Sequence, residues 1–125
     1  MKNGLTLKLD TSKTGIDAIF KPYQIEAIKI VIDSKEIGSG ALHKKINEHE
    51  GIKISRAMTI QFMNALVDQE LAFFREVPGK GGYGKLYRIP FPLEEFNEIV
   101  VKMFCLKLSE AFPDIEWLKT IWEDK

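Results

Sequence analysis

Between Lys53 and Asp68 the chain carries a serine, an arginine and two carboxamides at intervals that suit a helix. At about 100° per residue, Ala57, Gln61, Asn64 and Asp68 fall on one side, opposite Thr59, Phe62, Met63 and Leu66. The second side is a core face. The first offers small or hydrogen-bonding groups, with Arg56 on its flank. Arg, Gln and Asn are the side chains able to make two-pronged contacts to base edges, and bulk at Ala57 would hold a helix out of a groove. Lys53 and Ser55 at its start suit phosphate oxygens. Further on, Arg75, Lys80, Lys85 and Arg88 face only Glu76 within residues 71–90, around Pro78-Gly79-Lys80-Gly81-Gly82-Tyr83-Gly84. A slim glycine tip with cations beside it suits a polyanion.

Other motifs carry less. Gly79, Gly81 and Gly84 spell G-x-G-x-x-G, and Gly84-Lys85-Leu86 resembles the end of a phosphate-binding loop. Both need a following helix to hold the phosphate, whereas Leu86-Tyr87-Arg88-Ile89 reads as a strand. His43 and His49 are six residues apart and off a common helix face, so they read as solvated residues, and no metal site is expected. Cys105 lies in an apolar stretch and reads as a structural thiol. Glu94, Glu95 and Glu98 suit a helix start better than a catalytic pair. No nucleophile and base stand at recognisable spacing. Neither an enzyme nor a cofactor is expected.

With 125 residues, 45% hydrophobic and 29% charged, the composition is that of an ordinary globular chain. No apolar stretch is long enough to span a bilayer, no secretory leader is recognisable, and a single cysteine excludes an internal disulfide. A reduced, cytoplasmic setting without a membrane partner is expected. The net charge of zero conceals an asymmetry: +1 over residues 1–34, +3 over 35–90 and −4 over 91–125. Within a Debye length of roughly 8–10 Å the local charge sets the field, so the middle block can attract an anionic polymer that the chain as a whole does not.

The elements that would position these residues follow from periodicity. Leu5, Leu7 and Leu9 alternate as a short strand. Pro22 opens a first helix with Ile25, Ile28 and Ile32 on its inner face. Gly38-Ser39-Gly40 breaks it, and Ser39 is placed to cap a second helix through Leu42 and Ile46 to about His49, stopped by Gly51. A third helix begins near Ser55. Leu71–Val77 and Lys85–Ile89 read as two strands flanking the glycine tip. Pro90 and Pro92 end the sheet, and a long helix runs from Leu93 to about Ala111. Pro113 stops it before a last short helix bearing Trp117, Leu118, Ile121 and Trp122.

Three compact helices followed by a hairpin form the pattern of a winged helix-turn-helix, in which the third helix enters the major groove and the hairpin lies along the backbone. The expected fold class is α+β and mostly helical, with residues 1–90 as the DNA-binding domain and 91–125 as a helical dimerisation segment. Pro22 through Ile89, with Ile-Ser-Arg-Ala-Met-Thr at the third helix and Leu71-Ala-Phe-Phe-Arg-Glu entering the hairpin, resembles small prokaryotic winged-helix repressors. The nearest similarity is to the penicillinase-repressor family, with PadR-like and MarR-like regulators behind it. It implies a homodimeric repressor on a palindromic operator in double-stranded DNA. Glu70 stands where such repressors usually carry a glycine. Bases would be read by Arg56, Ala57, Gln61 and Asn64, and the backbone held by Lys53, Ser55, Arg75, Lys80, Lys85 and Arg88. The long helix is apolar over more of its girth than one partner requires. That surplus makes Phe96, Val100, Met103, Phe104, Trp117 and Trp122 the expected dimer interface. The alternative is a winged-helix protein-interaction module of a transcription or replication assembly, favoured by the zero net charge.

Overall fold

The computed structural model describes residues 7–79, 82–118 and 120. The chain divides into two compact units, Met1–Pro92 and Leu93–Lys125.

In the first unit a 3-10 turn at Gly15–Ala18 precedes α1, Pro22–Ser34. Proline suits the first position of α1 because its missing N–H would have no helical partner, and Gln24 Oε1 accepts from the Lys21 amide at 2.9 Å. The inner face of α1 is Ile25, Ala27, Ile28 and Val31, while Ile32 stays half-buried. After β1 (Ile37–Gly38) come α2 (Ser39–Asn47) and α3 (Arg56–Asp68). The hairpin strands are β2, Phe73–Gly79, and β3, Gly82–Arg88. The antiparallel sheet has the order β1-β3-β2, with Ile37 opposite Tyr87 and Phe74 opposite Tyr87 on the other side. Fully buried Ile28, Val31, Leu42, Ile46, Met63, Leu66 and Leu71 form the core that holds the three helices together. Phe62 meets Phe20 edge-on at 6.1 Å and Tyr23 at 6.0 Å. This is the α+β winged helix-turn-helix arrangement.

The structure departs from the sequence reading at several points. The hairpin strands run closer to the tip than expected, so Gly79 pairs with Gly82. Strand β1 is two residues long, too short for any alternation to announce it. Ser39 is the first residue of α2 rather than its cap: Gly38 holds that position, without a side-chain hydrogen bond. Leu7 and Leu9 belong to no strand, Leu9 is exposed, and Leu5 lies outside the described residues. In the second unit α4 spans Leu93–Ala111, and after Pro113 a helical turn begins at Trp117. No described helix is long and apolar enough to cross a membrane.

Helix α3 ends on a left-handed residue. Glu70 has φ of 62°, its amide donates to Val67, and the next amide, Leu71, reaches back to Leu66 O at 2.9 Å. That is the hydrogen bonding of a glycine-type helix stop, carried by a residue with a Cβ. A non-glycine residue held there costs on the order of 1–3 kcal/mol, partly offset by the greater freedom glycine has when unfolded. Glu70→Gly is therefore expected to raise stability by about 0.5–1 kcal/mol, seen as a higher urea midpoint at unchanged slope. Glu70→Val should lower the midpoint. The reverse order would show that the side chain, not the backbone, governs this turn.

Candidate nucleic-acid interface

The turn between α2 and α3 is clamped by polar side chains. Asn47 Oδ1 accepts from the Ile54 amide and Asn47 Nδ2 donates to the Ile54 carbonyl, both at 2.9 Å. His43 Nε2 reaches the same carbonyl at 2.9 Å. His43, whose Nε2 also lies 2.9 Å from Asn47 Nδ2, is thus a half-buried part of the clamp and not the solvated residue that its spacing alone suggests. The clamp fixes the direction in which α3 leaves the turn. Ser55 then caps α3, its Oγ accepting from the Met58 amide at 3.1 Å. Lys53 and Ser55 are both exposed at this start.

Along α3, Arg56, Ala57 and Gln61 are exposed, and so is Met58, which sequence periodicity assigned to neither face. Arg56 leans toward the start of α2 and donates to Ser39 Oγ at 3.3 Å. Asn64 does not join this strip. It is half-buried, and its Oδ1 accepts from the Tyr87 hydroxyl at 2.9 Å and from Lys85 Nζ at 3.4 Å. Its carboxamide oxygen ties α3 to β3 and is not presented to a groove, so its place among the base readers is withdrawn. The wheel put Asn64 and Gln61 on one side correctly. It could not show that the hairpin covers the carboxyl-terminal half of that side.

The hairpin has two chemically different faces. On the face toward α3 lie Phe74, Lys85 and Tyr87; Lys85 Nζ sits 4.3 Å from the Phe74 ring centre, and the two rings are 6.3 Å apart. Phe74 remains 38% exposed, an aromatic surface between wing and helix that the sequence reading missed. On the opposite face Arg75 grips Glu36, Nε to Oε2 at 2.8 Å and Nη2 to Oε1 at 3.0 Å. The guanidinium fork holds the Glu36 carboxyl below its ordinary pKa, and the carboxylate raises that of Arg75. Arg75 is therefore neutralised by an acid 39 positions away in sequence, and it is not the free backbone cation that local composition suggested. Arg88 stacks its guanidinium 5.3 Å from the Phe73 ring centre. Lys80 lies outside the described residues. Burial pushes the Tyr87 phenol above its ordinary pKa, so it stays protonated and donates. The glycine motif runs directly into β3, so no helix start follows it.

No family model matches the chain, and no curated protein matches it. Among solved structures, a possible transcriptional regulator from Methanosarcina mazei Go1 is similar over 78% of this chain and 80% of its own, with a TM-score of 0.54 at 15% identity. The likeness is one of fold. A PadR family transcription regulator from hypervirulent Clostridium difficile R20291 aligns over 72% of this chain and 97% of its own, with a TM-score of 0.49 at 17% identity. The resemblance to penicillinase repressors has no counterpart in either.

Tyr87 is 1% exposed, so its hydroxyl depends on Asn64. Asn64→Ala strands that donor and is expected to cost about 1–3 kcal/mol. Tyr87→Phe removes the need for a partner, so the double variant should lose clearly less than the two single losses combined, as measured by chemical denaturation. Strictly additive losses would mean that this bond does not couple helix to wing.

Proposed function

We propose that the chain is a DNA-binding transcriptional regulator, with α3 entering the major groove and the hairpin tracking the adjacent backbone. The observation that supports it is the exposed strip Arg56, Ala57 and Gln61 on a helix capped at Ser55, beside an extended antiparallel hairpin. Such a strip is slim enough for the groove, and two of its side chains can make paired hydrogen bonds to base edges. Lys53 and the Ser55 hydroxyl, whose proton remains available for donation, serve phosphates at the helix start. Lys85 and Arg88 supply backbone charge from the hairpin.

The interaction-module reading is favoured by one observation: with Asn64 turned inward and Arg75 paired to Glu36, the wing and helix present fewer free polar groups than the sequence suggested. Salt dependence separates the two readings. For a regulator, affinity for duplex DNA falls steeply with salt, and Lys53→Ala or Lys85→Ala should each flatten the slope by about one unit. Gln61→Ala should relax preference for particular bases while leaving stability within about 0.5 kcal/mol. A duplex affinity indifferent to salt and to these changes leaves the interaction module standing.

The same proposal includes a homodimer acting on a near-palindromic site, as a repressor. The expected interface needs revision, because Phe96 and Val100 are 0% and 1% exposed within the single chain. Met103 and Phe104 are half-buried, Trp117 is exposed, and Trp122 lies outside the described residues. Besides Trp117, the apolar groups that α4 and its extension leave open are Val101, Leu106, Leu108 and Phe112; Val101, half-buried Cys105, Leu108 and Phe112 stand at intervals of four, three and four. That is the spacing of a helix–helix seam. Leu108→Glu should give monomers on a sizing column, while Phe96→Glu should unfold the chain. A dimer that survives Leu108→Glu places the interface elsewhere.

A further inference from the structure

A single exposed apolar side chain is ordinary on a protein surface. Met58 on α3 keeps more particular company. It is 39% exposed in the first turn of the helix, next to exposed Ala57 and about one turn before exposed Gln61. At about 100° per residue, Gln61 falls between Ala57 and Met58, so a carboxamide is flanked by two apolar groups within an arc of about 100°. The Met58 amide is held by the Ser55 hydroxyl at 3.1 Å, which fixes the point at which its side chain leaves the helix.

The neighbouring polar groups are engaged to either side. Arg56, whose fork suits guanine, leans toward the start of α2 and donates to Ser39 Oγ. Asn64 gives its carboxamide oxygen to Tyr87 and Lys85. The centre of the strip is left to Ala57, Met58 and Gln61. In the major groove an A·T pair presents adenine N6 and N7, which a glutamine amide can bond together, and beside them the thymine methyl, the one methyl group displayed there. Gln61 matches the first and Met58 the second. A thioether chain is unbranched and polarizable, so it conforms to a small apolar partner, and the contact takes hydrocarbon on both sides out of water.

We propose that Met58 reads a thymine methyl while Gln61 bonds an adenine of the same or the adjacent pair, so that the duplex bound by α3 carries A·T pairs where the helix touches it most closely. The assignment rests on the reading of α3 as a helix that enters the major groove, and it names bases which that reading leaves open.

The full chain is used to enrich duplexes from a random pool, and in the tightest-bound duplex each thymine is replaced singly by deoxyuridine, which pairs identically and lacks only the methyl. At one or two positions the replacement should weaken affinity roughly fourfold, the worth of one buried methyl. Met58→Ala should lose a similar factor on the thymine duplex and nothing further on uracil at that position, with its urea midpoint in place. Met58→Gln, of similar length but polar, should show the same insensitivity, so the comparison does not hang on one variant. A loss that requires both the side chain and the methyl reports contact between them, which a merely structural role of Met58 would not produce. Uracil tolerated at every position overturns the assignment and leaves DNA binding standing. So does a methyl whose removal costs the parent and both variants alike, or an enriched duplex with G·C pairs at the positions where Gln61→Ala relaxes preference. A pool from which no duplex is enriched removes the DNA reading and this assignment with it.

Discussion

The hydroxyl of Tyr87 is carried by a ring that packs beneath β3 with 1% of its surface exposed. In that setting an unmatched donor is costly, and Asn64 on α3 supplies the acceptor at 2.9 Å. The same ring lies opposite Ile37 in β1 and Phe74 in β2, so one residue is shared by the whole three-stranded sheet and by the helix. A wing attached only through its turn at Glu70 would be free to swing. Attached also through a buried hydrogen bond, it holds a set angle to α3. Any function in which helix and hairpin touch one ligand together depends on that angle.

Electrostatics then divides the hairpin between structure and surface. Four cations in residues 71–90 gave the stretch its basic character, yet their situations differ. Arg75 is committed to Glu36, Lys85 lies over Phe74 and shares Asn64 with Tyr87, and Arg88 rests on Phe73. Exposed pairs of this kind contribute little to stability. Their larger effect is orientation, since a guanidinium fork gripped at both oxygens cannot turn toward solvent without losing both bonds. The apparent excess of positive charge is therefore smaller than composition implies, and it is divided between the two faces, with Lys85 toward α3 and Arg88 on the other side.

Much of this was legible from residue spacing. Helices α1 to α3 show a 3.6-residue period because each buries one stripe, and Ser55 marks the start of α3 through the hydrogen bond that a serine there makes. The hairpin was legible from its glycines, although its strands extend further because Gly79 and Gly82 pair as well as any residues do. What was hidden is long-range. The Arg75–Glu36 pair, the Tyr87–Asn64 bond and the His43–Ile54 bond join positions 39, 23 and 11 apart, and no local pattern encodes such distances. Within α4 the obstacle was different. Val100 and Val101 are adjacent and equally apolar, yet one is 1% exposed and the other 52%. Hydrophobicity indicated a wide stripe, and only packing divides it.

The root of the wing brings these points together. Strand β1 has two residues, too few to anchor a sheet edge by backbone bonds alone. It is preceded by a reversal at Lys35 that the backbone resists, and the residue between them, Glu36, is the one that Arg75 grips from β2. The ion pair therefore links the residue that leads into β1 to β2, across the β3 strand that lies between the two edge strands. It holds the end of the strained turn in register with the hairpin. The carboxylate form of Glu36 is favoured by that contact, so the brace is complete above the ordinary glutamate range and is lost as pH falls through the lowered value. Near neutrality the brace is intact, and the angle set by Tyr87 and Asn64 at the core is matched by a second constraint at the rim. Two short ties acting on opposite faces of one hairpin restrict twisting more than either does alone, which is how a wing with so few backbone bonds to the rest of its unit keeps its place beside α3.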